Sequence, residues 1–551
     1  MPLDPPANPI LPGPHPDPSI TRAGSSFFLA TSSFALFPGI PIHHSTDLAT
    51  WTLIGHALTR PSQLMLKTPE PGGGVWAPTL RYREEVQPDG ETKGVWWLTA
   101  CVWDRYSPQS GERVWPRGFV VKTEDIWDEK KWSEPVYFDQ VGFDQDLFWD
   151  KHHQPHLSTT FRPALSPFPA APPAKDFAVH TAPVDLGSGR ALAKPRLLRA
   201  SGTGMRVAEG AHLFARGRWT YLLTAEGGTE EGHCVVLHRS GNGVDGPWEA
   251  APAAAGAGVP GVVFGAAGEG DAVTCVGHAD VVEDAQGDWW AVCLGVRRKV
   301  FGRETFLVEV QWGEDGWPVF NRGRKIGVNE DTAPRARAWK DGFESAELGR
   351  GWYRKNTPLK PEHSLSACPH HLRLHGNPYT LASPASPTLF LRKQTTVNTT
   401  WRTRLSFRPA LPAEEAGTTA YWDYFTHARV GLRLVDGIRT VRFWPPEGAG
   451  HAVDAPLSGD GDMGLAIECG EEAYRFGFWE EEEGGPGGMY SGDGEEDVRK
   501  EVRWLGAVPC AVLTRDPPVG LPFLGVMLGL YAFGEGMPCL ADADFAYARV
   551  D

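Results

Sequence analysis

Gly217-Arg218-Trp219-Thr220-Tyr221-Leu222-Leu223-Thr224-Ala225 is one of four versions of a single pattern in this chain. The others are Gly24-Ser25-Ser26-Phe27-Phe28-Leu29-Ala30-Thr31, Gly94-Val95-Trp96-Trp97-Leu98-Thr99-Ala100 and Gly287-Asp288-Trp289-Trp290-Ala291-Val292-Cys293-Leu294. Each has a glycine, two further positions, and then an aromatic and apolar run of the kind that packs as a strand. Their starts lie 70, 123 and 70 residues apart. The middle interval is about twice a unit of roughly 60 residues, the signature of a repeat with one degenerate copy. Gln154-Pro155-His156-Leu157-Ser158-Thr159-Thr160 fills that place without its glycine. Five strand-turn-strand units with a recurring aromatic signature predict a five-bladed β-propeller.

A second short strand precedes each of these runs, and each begins with a chemically distinctive residue: Asp17, Trp76, Asp144, Glu209 and His278. The innermost strands of a propeller line its axis, so the starts of these five are expected at equivalent phase around one mouth of the channel. Asp17 lies between Pro16 and Pro18, and prolines stiffen the backbone on either side of it.

The repeat ends near residue 325. Residues 326–340 read as a linker. From 341 to 551 the alternation in Trp401–Phe407, Val430–Val435 and Tyr474–Trp479 predicts an antiparallel β-sandwich. The chain is therefore expected to be all-β: propeller 1–325, linker 326–340 and a sandwich of jelly-roll type over 341–551. Its 551 residues suit two large domains, and 64 Gly with 48 Pro favour many turns over long helices. The Ala/Pro-rich residues 163–174 and the acidic stretch from Glu480 read as solvated loops.

A net charge of -15 argues against nucleic acid and anionic membrane surfaces as partners. No run of about 18 apolar residues exists to span a bilayer. Met1-Pro2-Leu3-Asp4-Pro5-Pro6 has neither a basic start nor an apolar stretch, so a cytoplasmic location is expected, or secretion with the signal already removed. The eight cysteines form no Cys-x-x-Cys pair and read as small buried hydrophobes, and the pairs His43-His44, His152-His153 and His370-His371 read as surface or loop residues. The sequence does not speak to oligomeric state.

Carboxylates at one mouth suit glycoside hydrolysis, which needs an acid for the leaving oxygen and a second carboxylate on the other face of the sugar. Asp17 and Glu209 come from units one and four. A third acid, Asp144, would raise the proton affinity of Glu209 by like-charge repulsion, and Trp76 offers a face for a sugar ring.

The chain resembles glycoside hydrolase family 43, in its two-domain group of β-xylosidases and α-L-arabinofuranosidases. The resemblance is carried by residues 8–20, ending in His15-Pro16-Asp17-Pro18-Ser19-Ile20, and by residues 33–48. It continues in Gly74-Val75-Trp76-Ala77-Pro78-Thr79-Leu80 and Gly142-Phe143-Asp144-Gln145-Asp146. Glu209-Gly210-Ala211-His212 with residues 224–229, Gly277-His278-Ala279-Asp280, residues 302–307 and, in the second half, residues 383–388 complete it. It implies an inverting exo-hydrolase releasing xylose from the non-reducing end of β-1,4-xylooligosaccharides, with α-L-arabinofuranosidase side activity. Arabinofuranose side chains of arabinoxylan, or sugar binding without cleavage, remain the alternatives.

By position, the resemblance implies that Asp17 is the general base, Glu209 the general acid and Asp144 the acid that tunes it. Phe34, Trp76, His278 and Arg303 match substrate-pocket positions. No cofactor is implied, although some relatives hold calcium near the histidine through water. Ala211 and Asp146 depart from the proline and serine of many relatives. An aromatic from the sandwich often reaches the pocket in this group, and Phe533 is the candidate here.

Overall fold

The computed structural model describes residues 7–67, 70–87, 89–104, 115–162, 176–255, 257–265, 270–328, 338–480 and 500–551. The expected loops at 163–174 and 481–483 lie outside these residues.

Five antiparallel sheets follow one another along the first 320 residues. Blade one is Ser19–Ala23, Ser26–Ala30, Gly39–Ser45 and Thr52–Leu58. Blade two is Gly74–Val86, Thr92–Trp103, Arg117–Thr123 and Val136–Tyr137. Blade three is Phe143–Trp149, Pro155–Phe161, Ala178–Pro183 and Arg196–Ala200. Blade four is Ala208–Arg216, Trp219–Glu226, Cys234–Ser240 and Glu249–Ala250, with Val262–Gly265 on its outer edge. Blade five is Thr274–Glu283, Trp289–Val296, Glu304–Trp312 and Pro318–Phe320. This part of the chain is thus a five-bladed propeller, and the four aromatic runs and their degenerate copy are the second strands of its blades.

Those second strands are aromatic and apolar because both of their faces are covered. One face packs on each neighbouring blade, so the core divides into separate clusters. Phe28, Ile42, Leu80, Leu98 and Trp132 fill the space between blades one and two. Val95, Trp97, Leu147 and Leu157 fill the next, followed by Val179, Leu213 and Leu222. Tyr221, Leu223, Val281 and Ala291 join blades four and five. Each such side chain contributes on the order of 1.5–3 kcal/mol by leaving water. The ring closes on itself through the N-terminal segment. Leu11 bridges to Thr305, the Asn8 side chain donates to Leu307 O at 2.8 Å, and Ile10, Leu11, Ile20 and Leu29 pack on Val292 and Leu307.

The second half is a two-sheet β-sandwich. Its first strand, Trp339–Asp341, pairs with Asp542–Val550 and so begins within the stretch read from sequence as linker. Leu36–Phe37 leaves the propeller, pairs with Tyr353–Lys355 and becomes the edge strand of one sandwich sheet. Thr357 adds hydrogen bonds to the backbone of Leu64 and Leu66, and Val526 N–H donates to Val300 O at 2.7 Å. The two halves therefore share a sheet and a core.

Of the paired histidines, His43 is not a surface residue. It is 5% exposed within blade one and meets the His15 ring edge-on at 5.2 Å. Cys101, Cys234, Cys293 and Cys469 are buried thiols, and the other four are partly exposed.

Candidate active site

The inner strands of all five blades carry one backbone irregularity at the same point. Asp17, Ala77, Asp144, Gly210 and His278 have φ of 54°, 40°, 54°, 56° and 49°. In blades two to five the strand register slips there. Left-handed backbone costs an L-residue roughly 1–3 kcal/mol, and such strain collects at functional sites. At Gly210 a Cβ would crowd the His278 ring at 3.0 Å.

This kink corrects the expected phase. Asp17, Asp144 and His278 occupy the left-handed position, whereas Trp76 and Glu209 stand one residue before it. Period-two alternation predicts that neighbours point to opposite faces. The kink breaks that rule, so residues at both positions gather at one mouth.

Asp17 is 6% exposed. Its Oδ2 accepts from Ser32 Oγ at 2.6 Å and its Oδ1 accepts from Arg303 Nη1 at 3.2 Å; His278 Nδ1 is 3.7 Å away. Burial alone would raise its pKa, but the charge of Arg303, then His278 and the Ser32 hydrogen bond, hold it below the usual carboxylate value. Asp144 is equally buried and goes the other way. Burial first, then the charges of Glu209 and Asp17, push its pKa well up against the Gly210 N–H that donates to its Oδ2 at 2.8 Å. Glu209 is only partly buried, beside Asp144. Three carboxyl groups thus share one pocket, with one held ionised and another driven to keep a proton.

Arg303 is the second anchor. Besides Asp17 it donates to Thr229 Oγ1 at 3.3 Å, and its guanidinium lies 5.4 Å from the Phe34 ring and 4.6 Å from the Phe523 ring. Phe34, Trp76 and Phe523 form an aromatic wall, with ring centroids 5.9 Å apart for Phe34–Trp76 and 5.2 Å for each contact of Phe523. Trp76 extends the wall to Trp103 and Phe143.

The aromatic that the sandwich sends to this pocket is Phe523, not Phe533. Phe533 lies in the strand Met527–Phe533, is 1% exposed and packs with Tyr531 and Leu389 in the sandwich core. Alternation marks a strand residue as core, whereas Phe523 sits in a loop without periodicity that only tertiary structure places. Leu521 N–H donates to Pro71 O at 3.1 Å and fixes that loop to the propeller. Ser32 and His233 were also not singled out from sequence. His233, whose Nδ1 lies 2.9 Å from Cys275 O, has its pKa lowered to about 4 by burial and so stays neutral near Arg303 and Asp17.

Beneath the mouth, two residues beyond each kink, Ser19, Thr79, Asp146, His212 and Asp280 form a buried ring. Arg81 enters it from blade two. Its Nη1 donates to Asp280 at 2.9 Å, and its Nη2 donates to Asp146 at 2.8 Å and lies 3.2 Å from His212 Nδ1. Ser19 Oγ donates to the same Asp280 oxygen at 2.8 Å. His212 and His278 are 5.8 Å apart, ring to ring, which links this layer to the pocket floor. Burial lowers the His278 pKa to about 3 against the pull of Asp17, so the ring is neutral. Calcium takes six to eight oxygen ligands. Among the described residues no group of three or more His, Cys, Asp and Glu side chains is arranged to hold a metal ion. Both axial carboxylates pair with the Arg81 cation.

Comparison with known proteins agrees with this two-domain architecture. Residues 6–318 match the model of glycosyl hydrolases family 43, and residues 340–551 match the beta xylosidase C-terminal concanavalin A-like domain. A non-reducing end alpha-L-arabinofuranosidase of Bacteroides ovatus is 30% identical over 98% of this chain and 93% of its own length. A xylan 1,3-beta-xylosidase of a Vibrio species is 32% identical over 75% of this chain and 77% of its own. The crystal structure of a xylan beta-1,4-xylosidase from Bacillus halodurans superposes with a TM-score of 0.83 at 27% identity, covering 99% of this chain and 100% of the other. The chain belongs to glycosyl hydrolases family 43 and is a glycoside hydrolase.

Proposed function

We propose that this enzyme removes terminal pentose units from the non-reducing ends of β-1,4-xylooligosaccharides with inversion, and that it also accepts α-L-arabinofuranosides. The observation that carries the reading is the split of proton affinity among converging carboxylates, Asp17 held low and Asp144 held high. An acid and a base are needed at once, and environments that push carboxyl groups apart mark such a pair. A protein that only bound sugar would have no use for that split.

Asp17 is the general base. Its two oxygens are oriented by Ser32 and Arg303, and its depressed pKa keeps it ionised to take a proton from water as that water attacks the anomeric carbon. Glu209, the less buried carboxyl, protonates the departing oxygen. Asp144 and Glu209 repel one another when both are ionised, so the two keep a proton between them that Glu209 can deliver. Arg303 and the wall of Phe34, Trp76 and Phe523 hold the terminal sugar, with the sandwich loop as part of that wall, which favours a chain end over a mid-chain unit. Water, Asp17 and Glu209 suffice for the bond broken and the bond made, with no cofactor in any step.

The arabinofuranosidase reading draws support from the Bacteroides ovatus relative, whose match spans nearly the whole chain. Incubation with aryl β-D-xyloside and aryl α-L-arabinofuranoside tests both, and proton NMR of the first-formed anomer reads the stereochemistry. Release from neither glycoside, or first formation of the anomer that retains configuration, would overturn the proposal.

A further inference from the structure

A strap of the sandwich, residues 514–526, runs from the short helix Cys510–Leu513 to the strand Met527–Phe533 and lies on the propeller. It docks on the turn that ends in Arg303, backbone against backbone. Val526 N–H donates to Val300 O at 2.7 Å. A Cβ on Gly525 would stand 2.5 Å from Phe301 O, and a Cβ on Gly302 would stand 2.6 Å from Gly525 N. Both approaches are closer than a side chain allows, so the two glycines let strap and turn touch directly. Leu521 N–H, donating to Pro71 O, pins the strap a few residues earlier.

The docked strap also holds the Arg303 side chain. Phe523 O accepts from Arg303 Nε at 3.4 Å, and the Phe523 ring lies 4.6 Å from the guanidinium. The propeller holds the same guanidinium through Nη1, which donates to Asp17 Oδ1 at 3.2 Å and to Thr229 Oγ1 at 3.3 Å. None of these bonds is short. No single one fixes the guanidinium, so its place against Asp17 depends on the strap as well as on the propeller.

That place matters for the charge on Asp17, which faces Ser32, Arg303, His233, His278 and Asp144. Burial keeps His233 and His278 neutral, with pKa values of about 4 and about 3. Asp144 can only oppose a charge on Asp17. A guanidinium keeps its charge at every working pH, so Arg303 supplies the positive charge that keeps Asp17 ionised, helped by the Ser32 hydroxyl. Attraction falls with distance. A guanidinium that drifts outward therefore leaves a carboxylate that takes up a proton more readily.

We propose that the strap is a positioning element for the general base: through Gly525 and Phe523 the sandwich domain holds Arg303 against Asp17, and so sets the lower pH limit of hydrolysis. The inference rests on the reading of Asp17 as the base.

The test is the pH profile of kcat/KM on an aryl xyloside, in the full chain, for the parent and for Gly525→Ala. The acid limb of that profile reports the base of the free enzyme. The added methyl lifts the strap from Phe301 and draws Phe523 away from Arg303. The limb should then move to higher pH by about half a unit or more, which is roughly a threefold loss on the limb beyond any loss at the plateau. Phe523→Tyr keeps both the ring and the carbonyl and should leave the limb in place. Phe523→Leu removes the ring and should shift the limb in the same direction; it stands in for Gly525→Ala if that variant fails to fold. Activity regained on return to neutral pH shows that the limb is a titration and not unfolding. A strap that only joined the domains would lower the melting temperature and the plateau but leave the limb where the parent has it. That result in Gly525→Ala, or in Phe523→Leu where it stands in, overturns the inference while leaving hydrolysis intact. Turnover by Asp17→Asn close to that of the parent would overturn the base assignment itself, and this inference with it.

Discussion

Replacing Arg81 with Met tests the account of the propeller axis most directly. The Arg81 side chain is 16% exposed and pairs with Asp146 and Asp280, whose side chains are 0% and 4% exposed. Burial works against the charge on Arg81, but the two carboxylates more than compensate and raise its pKa, while Arg81 in turn holds Asp280 low. Met fills the volume but leaves two carboxylates in one dry ring with no cation. Removing one partner from a buried ion pair costs about 3–5 kcal/mol. For a domain of this size each kcal/mol shifts the melting temperature by about 2–4 °C, so a loss of roughly 6–20 °C is expected in a differential scanning experiment. Arg81→Lys keeps the charge without the fork that reaches both acids and should fall in between. The ring supports the pocket floor through His212 and His278, so kcat/KM on an aryl glycoside should drop at least tenfold in Arg81→Met. If the axis has its own cation, added calcium should restore neither property. A variant that melts within about 2 °C of the parent and keeps kcat/KM within twofold would refute the reasoning.

Four further outcomes follow from the site. Asp17→Ala should abolish turnover of all substrates, whereas Glu209→Ala should lose most activity on xylobiose but far less on aryl glycosides, whose leaving groups need little protonation; equal losses on both would remove Glu209 from the acid role. Phe523→Ala strips about 1.5–3 kcal/mol of apolar contact from the wall, so kcat/KM should fall roughly tenfold to a hundredfold, and an unchanged value would place the bound sugar elsewhere. On the alkaline side kcat/KM should decline as the Asp144–Glu209 pair loses the proton that burial and mutual repulsion help it keep, and Asp144→Asn, by removing the neighbouring charge, should move that limb to lower pH. Four buried histidines are depressed by burial, His233 and His238 to about 4, His278 and His427 to about 3. Each takes up a proton on unfolding once the pH is below about 6.5, so the stability they contribute is present above that value and lost as pH falls toward 3–4, at about 1.4 kcal/mol per pH unit per histidine; a melting temperature flat between pH 7 and 5 would contradict this.

The propeller was legible in sequence because its packing writes a one-dimensional signal. A blade's second strand is covered on both faces, which favours apolar and aromatic residues on both, and Trp96-Trp97 and Trp289-Trp290 show this at 193-residue separation. The five inner strands were visible as the apolar runs just before these. Their phase was not, because a left-handed residue leaves no mark of its own: Asp17 and His278 look from sequence like any residues before a strand. The axial layer was hidden for a different reason. Arg81 falls in a stretch of alternating charged residues, Arg81, Arg83, Glu84 and Glu85, that reads as a solvated strand face, and only closure of the ring turns its first member inward.

The wall around the sugar shows where reading a chain by domains stops working. Phe34 and Trp76 come from the propeller's first two blades, and Phe523 comes from the sandwich nearly 450 residues later. What holds them in register is the interface. Gly74 has φ of 116°, and a Cβ there would stand 2.0 Å from Phe34 O, so the glycine permits the bridge between Phe34 and Val75. Two residues on, Leu36 starts the strand that enters the sandwich sheet beside Tyr353–Lys355. The backbone that places one wall of the pocket therefore continues into the sheet of the domain that supplies the other. A change in the packing of the sandwich reaches the sugar through a hydrogen-bonded sheet, and residues of the second domain can tune substrate choice without touching a catalytic carboxylate.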